Sequence, residues 1–199
     1  MIERKWIVGV ITILIGIVSY FFYIRDMFHG KTRPHIFSRI LRWVGAWIVF
    51  AGQWSDGAGA WSWSNFLTGF ICLGIAVYAY FHHGISYITK IDIAFFLLAF
   101  VALVVYFLTN TRLRSIIIIN LGDILSLIPS IRKSWNKPYE ETISMYALSS
   151  IKFILMIAAT ASYSFVTVSN SILRALLNAW FVMILYVRRR QSISHWPTT

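Results

Sequence analysis

The chain has 199 residues, of which 58% are hydrophobic and 13% are charged, whereas an ordinary soluble domain has about 25% charged residues. The composition and the spread of apolar runs along the chain indicate an integral membrane protein and exclude a soluble core with a short tail. The formal net charge of +11 does not indicate nucleic-acid binding, because the basic residues lie in short loops between apolar runs. The single cysteine, Cys72, excludes an internal disulfide.

Seven apolar runs are long enough, or nearly so, to cross a hydrocarbon core, which takes roughly 20 helical residues. The predicted membrane-spanning helices cover residues 6–24, 37–53, 64–81, 91–108, 115–131, 144–160 and 170–187. Arg4 and Lys5 precede the first run, as in a signal peptide, but the run is too long for one and no small-residue cleavage site follows it. The sequence therefore predicts an all-α membrane protein with seven transmembrane helices.

Basic residues are distributed unevenly between the two sides that this topology defines. One side has only Arg4, Lys5, Arg112 and Arg114, and it includes a Gly- and Trp-rich turn at residues 54–63 without Lys or Arg. The other side has Arg25, Lys31, Arg33, Arg39, Arg42, Lys90, Arg132, Lys133, Lys137 and Arg188 to Arg190. The positive-inside rule then predicts an N-terminus outside and a C-terminus in the cytoplasm, with the cell membrane as the expected location and the lipid bilayer as a partner.

Short matches at a nearly constant spacing indicate an internal duplication. Ser19 matches Ser126 at an offset of 107, Ser38 matches Ser144 at 106, and Asn65 matches Asn170 at 105. Two parallel three-helix repeats need one further crossing between them, which the fourth helix supplies. The predicted division is a first repeat at residues 1–87, a linker helix at 88–113, a second repeat at 114–190 and a cytoplasmic tail at 191–199.

The second repeat carries a short family motif. Ile128-Pro129-Ser130-Ile131 is followed by a basic loop with Arg132, Lys133 and Lys137, and then by Ser144. This pattern resembles the Pro-Gln loop of the SWEET and PQ-loop transporter superfamily, which implies a three-one-three helix order and transport of a small solute. Ser130 replaces the family's Gln, and the first repeat has Phe22-Tyr23 where a paired hinge proline is expected. Trp43 and Trp47 are similar to the tryptophan pairs of the Pnu-type vitamin permeases, a three-one-three group of opposite orientation.

Polar residues at membrane depth are the candidates for function, because each costs free energy unless it is paired or solvated. Asp123 lies near the middle of the fifth helix, and Asn120 is one turn away. Lys152 and Asn178 lie at similar depth on the next two helices, and Arg174 is deeper than a simple anchor. We expect a polar cavity between the two triplets, and the predicted substrate-binding residues are Trp43, Trp47, Asn120, Asp123 and Asn178.

The role of Asp123 depends on its partner. Lys152 at similar depth, or Arg42 reaching up from the second helix, could form a buried ion pair with it, which would be a structural contact. If Asp123 instead faces the cavity, it becomes a proton site whose titration couples to solute movement. Both alternatives follow from the sequence.

The function expected from these features is transport of a small polar solute, sugar- or vitamin-like, by alternating access. A non-transporting membrane scaffold or accessory subunit is the alternative from another class. An intramembrane metal hydrolase is a third interpretation, since His29, His35, His82 and His83 fall on one side, but no metal-ligand spacing is present. The sequence therefore predicts no catalytic residue, no metal site, no cofactor and no nucleic-acid partner.

Overall fold

The computed structural model describes residues 2–55, 62–83, 88–108, 112–160, 163 and 165–194. Within these ranges the protein consists of seven α-helices and one short 3-10 turn, without a β-strand. The helices are α1 (Ile2–Phe28), α2 (Ile36–Ser55), α3 (Trp63–His83), α4 (Lys90–Leu108), α5 (Arg112–Asn136), α6 (Ile143–Ala159) and α7 (Phe165–Ser194), and the 3-10 turn is Pro138–Glu140. The predicted all-helical class is confirmed, while the Gly- and Trp-rich turn lies largely outside the described residues.

Among the described residues, three helices are long and apolar enough to cross a membrane: Ile7–Phe28 in α1, Trp63–His82 in α3 and Val168–Ser192 in α7. Helix α6 is also apolar but shorter. Large apolar side chains such as Leu14, Phe70 and Leu176 are exposed on the outside of the bundle, and large exposed apolar surfaces mark sites of contact with a membrane or another protein. These features are compatible with a membrane protein.

Helix packing follows a regular order. Helix α1 packs along α6, and α2 packs along α5. Helix α3 lies against α2 and α1, as α7 lies against α6 and α5, while α4 packs mainly on α5. The largest buried apolar cluster joins α1, α3, α5, α6 and α7, with Tyr20, Tyr23, Met27, Cys72, Ile75, Leu127, Met145, Tyr146, Phe181 and Leu185.

Helix α5 continues further than the sequence predicted. It runs through Pro129 to Asn136, so Arg132 and Lys133 are helical and their assignment to a loop was wrong. An internal proline removes one backbone hydrogen bond, but ion pairs to Asp92 and Glu141 anchor the last turns of α5 to other parts of the chain. Helix α7 likewise extends to Ser194, past the predicted start of the tail.

The turn after α1 is set by Gly30, whose φ of +70° is strained for other residues. The backbone N–H groups of Gly30 and Lys31 donate to the carbonyls of Met27 and Asp26, which closes the C-terminus of α1. The backbone N–H of Arg33 then donates to the Glu140 carbonyl over 3.1 Å. This bond brings the α1–α2 loop and the 3-10 turn together at one end of the bundle, which we call the basic end because Arg132, Lys133 and Arg188–Arg190 also lie there.

Candidate functional site

A small polar cavity lies at the centre of the helix bundle. Its volume is about 30 Å³, room for roughly one or two water molecules. The lining residues are Tyr20 from α1, Arg42 from α2, Thr68 from α3, Asp123 and Leu127 from α5, Ser149, Lys152 and Phe153 from α6, and Arg174, Leu177 and Asn178 from α7. Every helix except α4 therefore contributes a described lining residue.

Asp123 and Arg174 form an ion pair at one wall of the cavity. Arg174 Nε donates to Asp123 Oδ2 over 2.7 Å, and Nη2 donates to Oδ1 over 3.0 Å. Asn170, one turn before Arg174 on α7, donates to the same carboxylate over 2.8 Å and to Asn120 Oδ1 over 3.0 Å. Arg174 Nη1 also donates to Asn65 Oδ1 on α3 over 3.4 Å. The pair is bidentate, and amides from three helices surround it.

Lys152 lies apart from this ion pair. Its side chain is 2% exposed, and its ammonium is 4.5 Å from the centroid of the Phe153 ring. The stem of Lys152 passes Gly16 on α1, where an added Cβ would lie 3.3 Å from Lys152 Cδ. Among the described residues no carboxylate pairs with this ammonium. Lys152 thus brings to the cavity an amine that has no carboxylate partner among the described residues.

The structure brings together some of the residues predicted to bind a solute. Asp123 and Asn178 line the cavity, and Asn120 adjoins it through Asn170. Trp43 packs against the buried cluster and Trp47, 36% exposed, stacks on Phe66, so neither lines the cavity.

The ion-pair partner of Asp123 in the structure is Arg174, and not Lys152 or Arg42, which the sequence offered as possible partners. Both of those residues nevertheless line the same cavity. The rotation of α5, α6 and α7 about their own axes decides which basic side chain contacts Asp123. The spacing of residues within one helix does not define this rotation.

Other lining residues were missed by the sequence analysis. Tyr20, Thr68 and Ser149 are ordinary residues for a membrane helix, so nothing in their local sequence marks them. A signal did exist for Arg174, which is a basic residue within an apolar helix. The repeat match between Asn65 and Asn170 was a second signal, since both amides contact the Asp123–Arg174 pair.

A second cluster of charges ties elements together at the basic end. The Asp92 carboxylate on α4 accepts from Arg132 Nε on α5 over 3.0 Å and from the Thr89 backbone N–H over 2.9 Å. His35, 2% exposed, has its Nε2 3.4 Å from Asp92 Oδ2. Burial lowers the pKa of His35 below its usual value, although the nearby Asp92 opposes this shift. The cluster connects the α1–α2 loop with α4 and α5.

Lys133 and Glu141 form a second buried contact at the basic end. Lys133 Nζ is 2.6 Å from Glu141 Oε1, and it also donates to the Arg33 carbonyl. Arg189 on α7 donates to the Pro138 carbonyl over 3.0 Å and to the Glu141 carbonyl over 2.6 Å. The 3-10 turn is therefore held between α5, α7 and the α1–α2 loop.

No protein-family model matches this sequence, and comparisons with curated proteins and with solved structures find no match either.

Proposed function

We propose that this protein is a small membrane transporter that moves a polar solute through the central cavity. In this proposal seven helices span the membrane, and α1–α3 and α5–α7 form two parallel triplets joined by α4, as in the SWEET and PQ-loop superfamily that the sequence resembles. The N-terminus is outside and the C-terminus is cytoplasmic, in the cell membrane. The solute alternates between the two sides as the triplets move against each other.

The observation that carries the proposal is the composition of the cavity wall. All six helices of the two proposed triplets contribute a lining residue, whereas α4 contributes none among those described. Substrate sites of repeat transporters lie near the bilayer midplane at the interface between repeats. Asp123 on α5, Lys152 on α6 and Asn178 on α7 lie near the middle of their helices, which is the depth such a site requires.

The packing order supports the proposed duplication. If α1, α2 and α3 correspond to α5, α6 and α7, the contact between α1 and α6 corresponds to that between α5 and α2. The contacts of α3 with α1 and α2 then correspond to those of α7 with α5 and α6. An axis along the membrane normal that exchanges parallel triplets produces this pairing, and the cavity would lie on the axis.

The basic end supports the proposed orientation. Arg33, Lys133 and Arg189 all contact the segment around the 3-10 turn, so basic residues from separated parts of the sequence share one end of the bundle. Such a concentration is typical of the cytoplasmic side of a membrane protein.

The size of the cavity is consistent with a closed state of such a transporter. At about 30 Å³ it has room for roughly one or two water molecules and is too small for a solute of more than a few heavy atoms. A larger solute can enter only when α1 separates from α6 or α2 separates from α5. In the proposal these two contacts are the gates.

Counterflow in proteoliposomes tests the proposal. Purified protein is reconstituted and loaded with one member of a panel: a neutral hexose, a cationic vitamin, a zwitterionic amino acid or a small carboxylate. We expect protein-dependent exchange of at least one labelled solute and a loss of exchange when Ser149→Trp fills the cavity. Ile154→Trp is the matched control on the same helix, because Ile154 faces outward with 56% of its surface exposed. Folded protein that exchanges none of the panel would contradict the proposal and favour a membrane scaffold.

A further inference from the structure

The charges around the central cavity do not balance. Among its described lining residues are three basic side chains, Arg42, Lys152 and Arg174, and one acidic side chain, Asp123. In a site of low dielectric such an excess acts strongly on whatever enters, because little solvent screens it. The charge of the lining therefore selects among small polar solutes.

The one carboxylate is already engaged. Asp123 accepts two hydrogen bonds from Arg174 and a third from Asn170. Arg174 in turn uses Nε and Nη2 for Asp123 and Nη1 for Asn65. This pair is neutral as a unit, and the positive excess of the cavity rests on Lys152 and Arg42.

Of Lys152 and Arg42, Lys152 is expected to attract an anion more strongly. It is 2% exposed, its described neighbours offer the ammonium the face of Phe153 but no carboxylate, and it lines the cavity. A buried ammonium without a counter-ion is unfavourable, so a carboxylate that enters supplies the counter-ion that keeps Lys152 protonated and forms a charge-assisted contact with it. Arg42 stays half-buried, 5.9 Å from the Tyr146 ring, and adds a second positive charge to the wall.

Asn178 adds a requirement for a hydrogen-bond donor. Its Nδ2 donates to the Arg174 carbonyl over 2.6 Å, which fixes the amide. Its Oδ1 is buried and has no hydrogen-bond partner among the described residues. Asn178 is 4% exposed and lines the cavity. A buried acceptor of this kind favours an occupant that brings a hydroxyl or amino group.

We propose that the solute of this cavity is a small carboxylate that carries a hydrogen-bond donor, such as a hydroxy acid. Lys152 binds the carboxylate with support from Arg42, and Asn178 Oδ1 accepts from the hydroxyl. Asp123 and Arg174 position the Asn178 helix without binding the anion. This inference rests on the proposed transport function and specifies its substrate class.

Two acids of nearly equal size separate these contributions. Lactate and pyruvate share the carboxylate, but only lactate brings a hydroxyl donor. Proteoliposomes at pH 7.5 are assayed for counterflow of labelled lactate, pyruvate, inorganic phosphate and a neutral hexose, with empty liposomes subtracted. We expect exchange of lactate above pyruvate, and no exchange of phosphate or hexose.

Variants then assign the contacts. Lys152→Gln is expected to lower lactate exchange by at least about tenfold, since it removes the buried charge partner, whereas Arg190→Gln removes an exposed charge at the basic end and should leave it unchanged. Asn178→Leu should abolish the preference for lactate over pyruvate. Because either variant could fail to fold, the wild type is also tested directly: lactate should raise its melting temperature in detergent, and glycerol should not.

The results distinguish this inference from the proposed function. Exchange of the hexose or of phosphate without lactate would overturn the carboxylate assignment while leaving a transporter in place. Undiminished lactate exchange by folded Lys152→Gln would overturn the role of Lys152. Folded wild-type protein that exchanges no solute and is not stabilised by lactate would contradict the transport function itself.

Discussion

Arg174 and Asp123 form a bidentate ion pair between α7 and α5, with nitrogen–oxygen distances of 2.7 and 3.0 Å, in the middle of the helix bundle. Their side chains are 8% and 9% exposed. Removing one partner leaves a buried charge uncompensated, so Asp123→Asn should lower the free energy of unfolding by about 3–5 kcal/mol. Thermal unfolding in detergent measures this effect.

Two further variants identify the cause of that loss. Asp123→Asn combined with Arg174→Gln should be less destabilising than Asp123→Asn alone, because neither buried charge remains. Arg25→Gln breaks the exposed Arg25–Asp26 pair and should change stability by no more than about 1 kcal/mol. If Asp123→Asn had no larger effect than Arg25→Gln, the pair would not hold α5 and α7 together.

The positions of the helices could be predicted from the sequence, whereas the contacts between them could not. The seven predicted segments lie within one or two residues of the limits of the observed helices or inside them, because apolar runs of this length have few alternatives. The depth of Asp123 could be predicted as well, because it follows from the position of this residue within its apolar run. Its partner Arg174 was not, since α5 and α7 are free to rotate about their axes until side chains far apart in sequence pack against each other. The same rotational freedom places Trp47 against Phe66 and not among the lining residues of the cavity.

Gly69 on α3 provides a test of the α2–α3 contact. A Cβ built at Gly69 would overlap the indole ring of Trp47, whereas a Cβ at Gly74, on the same helix, meets nothing. Gly69→Ala should therefore displace Trp47 or separate the helices and lower stability by about 1–3 kcal/mol, the usual cost of overpacking. Gly74→Ala is the matched control and should not destabilise the protein. Melting temperatures of the two variants should thus differ, and equal values would contradict the close contact.

His35 predicts a pH dependence of stability. Burial lowers its pKa below the usual value of about 6.5, with Asp92 from α4 opposing the shift and Arg132 and Lys133 from α5 supporting it. The unfolded chain therefore binds a proton at His35 more readily than the folded protein does. This group has no effect on stability well above pH 6.5 and lowers it progressively as the pH falls below that value.

The variant His35→Gln isolates this contribution. Melting temperatures measured between pH 7.5 and 5 should decline less in His35→Gln than in the wild type, even if the variant is less stable at pH 7.5. Parallel declines in the two proteins would show that His35 is not the group responsible.

The proposed topology predicts opposite sides for two loops. Single cysteines are introduced at two positions in a Cys72→Ser background. Ala58→Cys lies between α2 and α3, outside the described residues, and Lys137→Cys lies beside the 3-10 turn. A membrane-impermeant maleimide added to intact cells should label the cysteine at position 58 only, and cell lysis should expose the one at position 137. Labelling of both from the same side would contradict a seven-span chain with an outside N-terminus.

Proposed transport by alternating access requires the cavity to open to both sides of the membrane in turn. Ser149→Cys, in the Cys72→Ser background, places a thiol in the cavity wall, and Ile154→Cys places one on the outward face of the same helix. Both proteins are reconstituted, and a small impermeant methanethiosulfonate is applied to one side or the other. We expect the cysteine at position 149 to react from either side, and the one at position 154 to react from neither. A cysteine at position 149 that reacts from one side only, or not at all, would contradict alternating access.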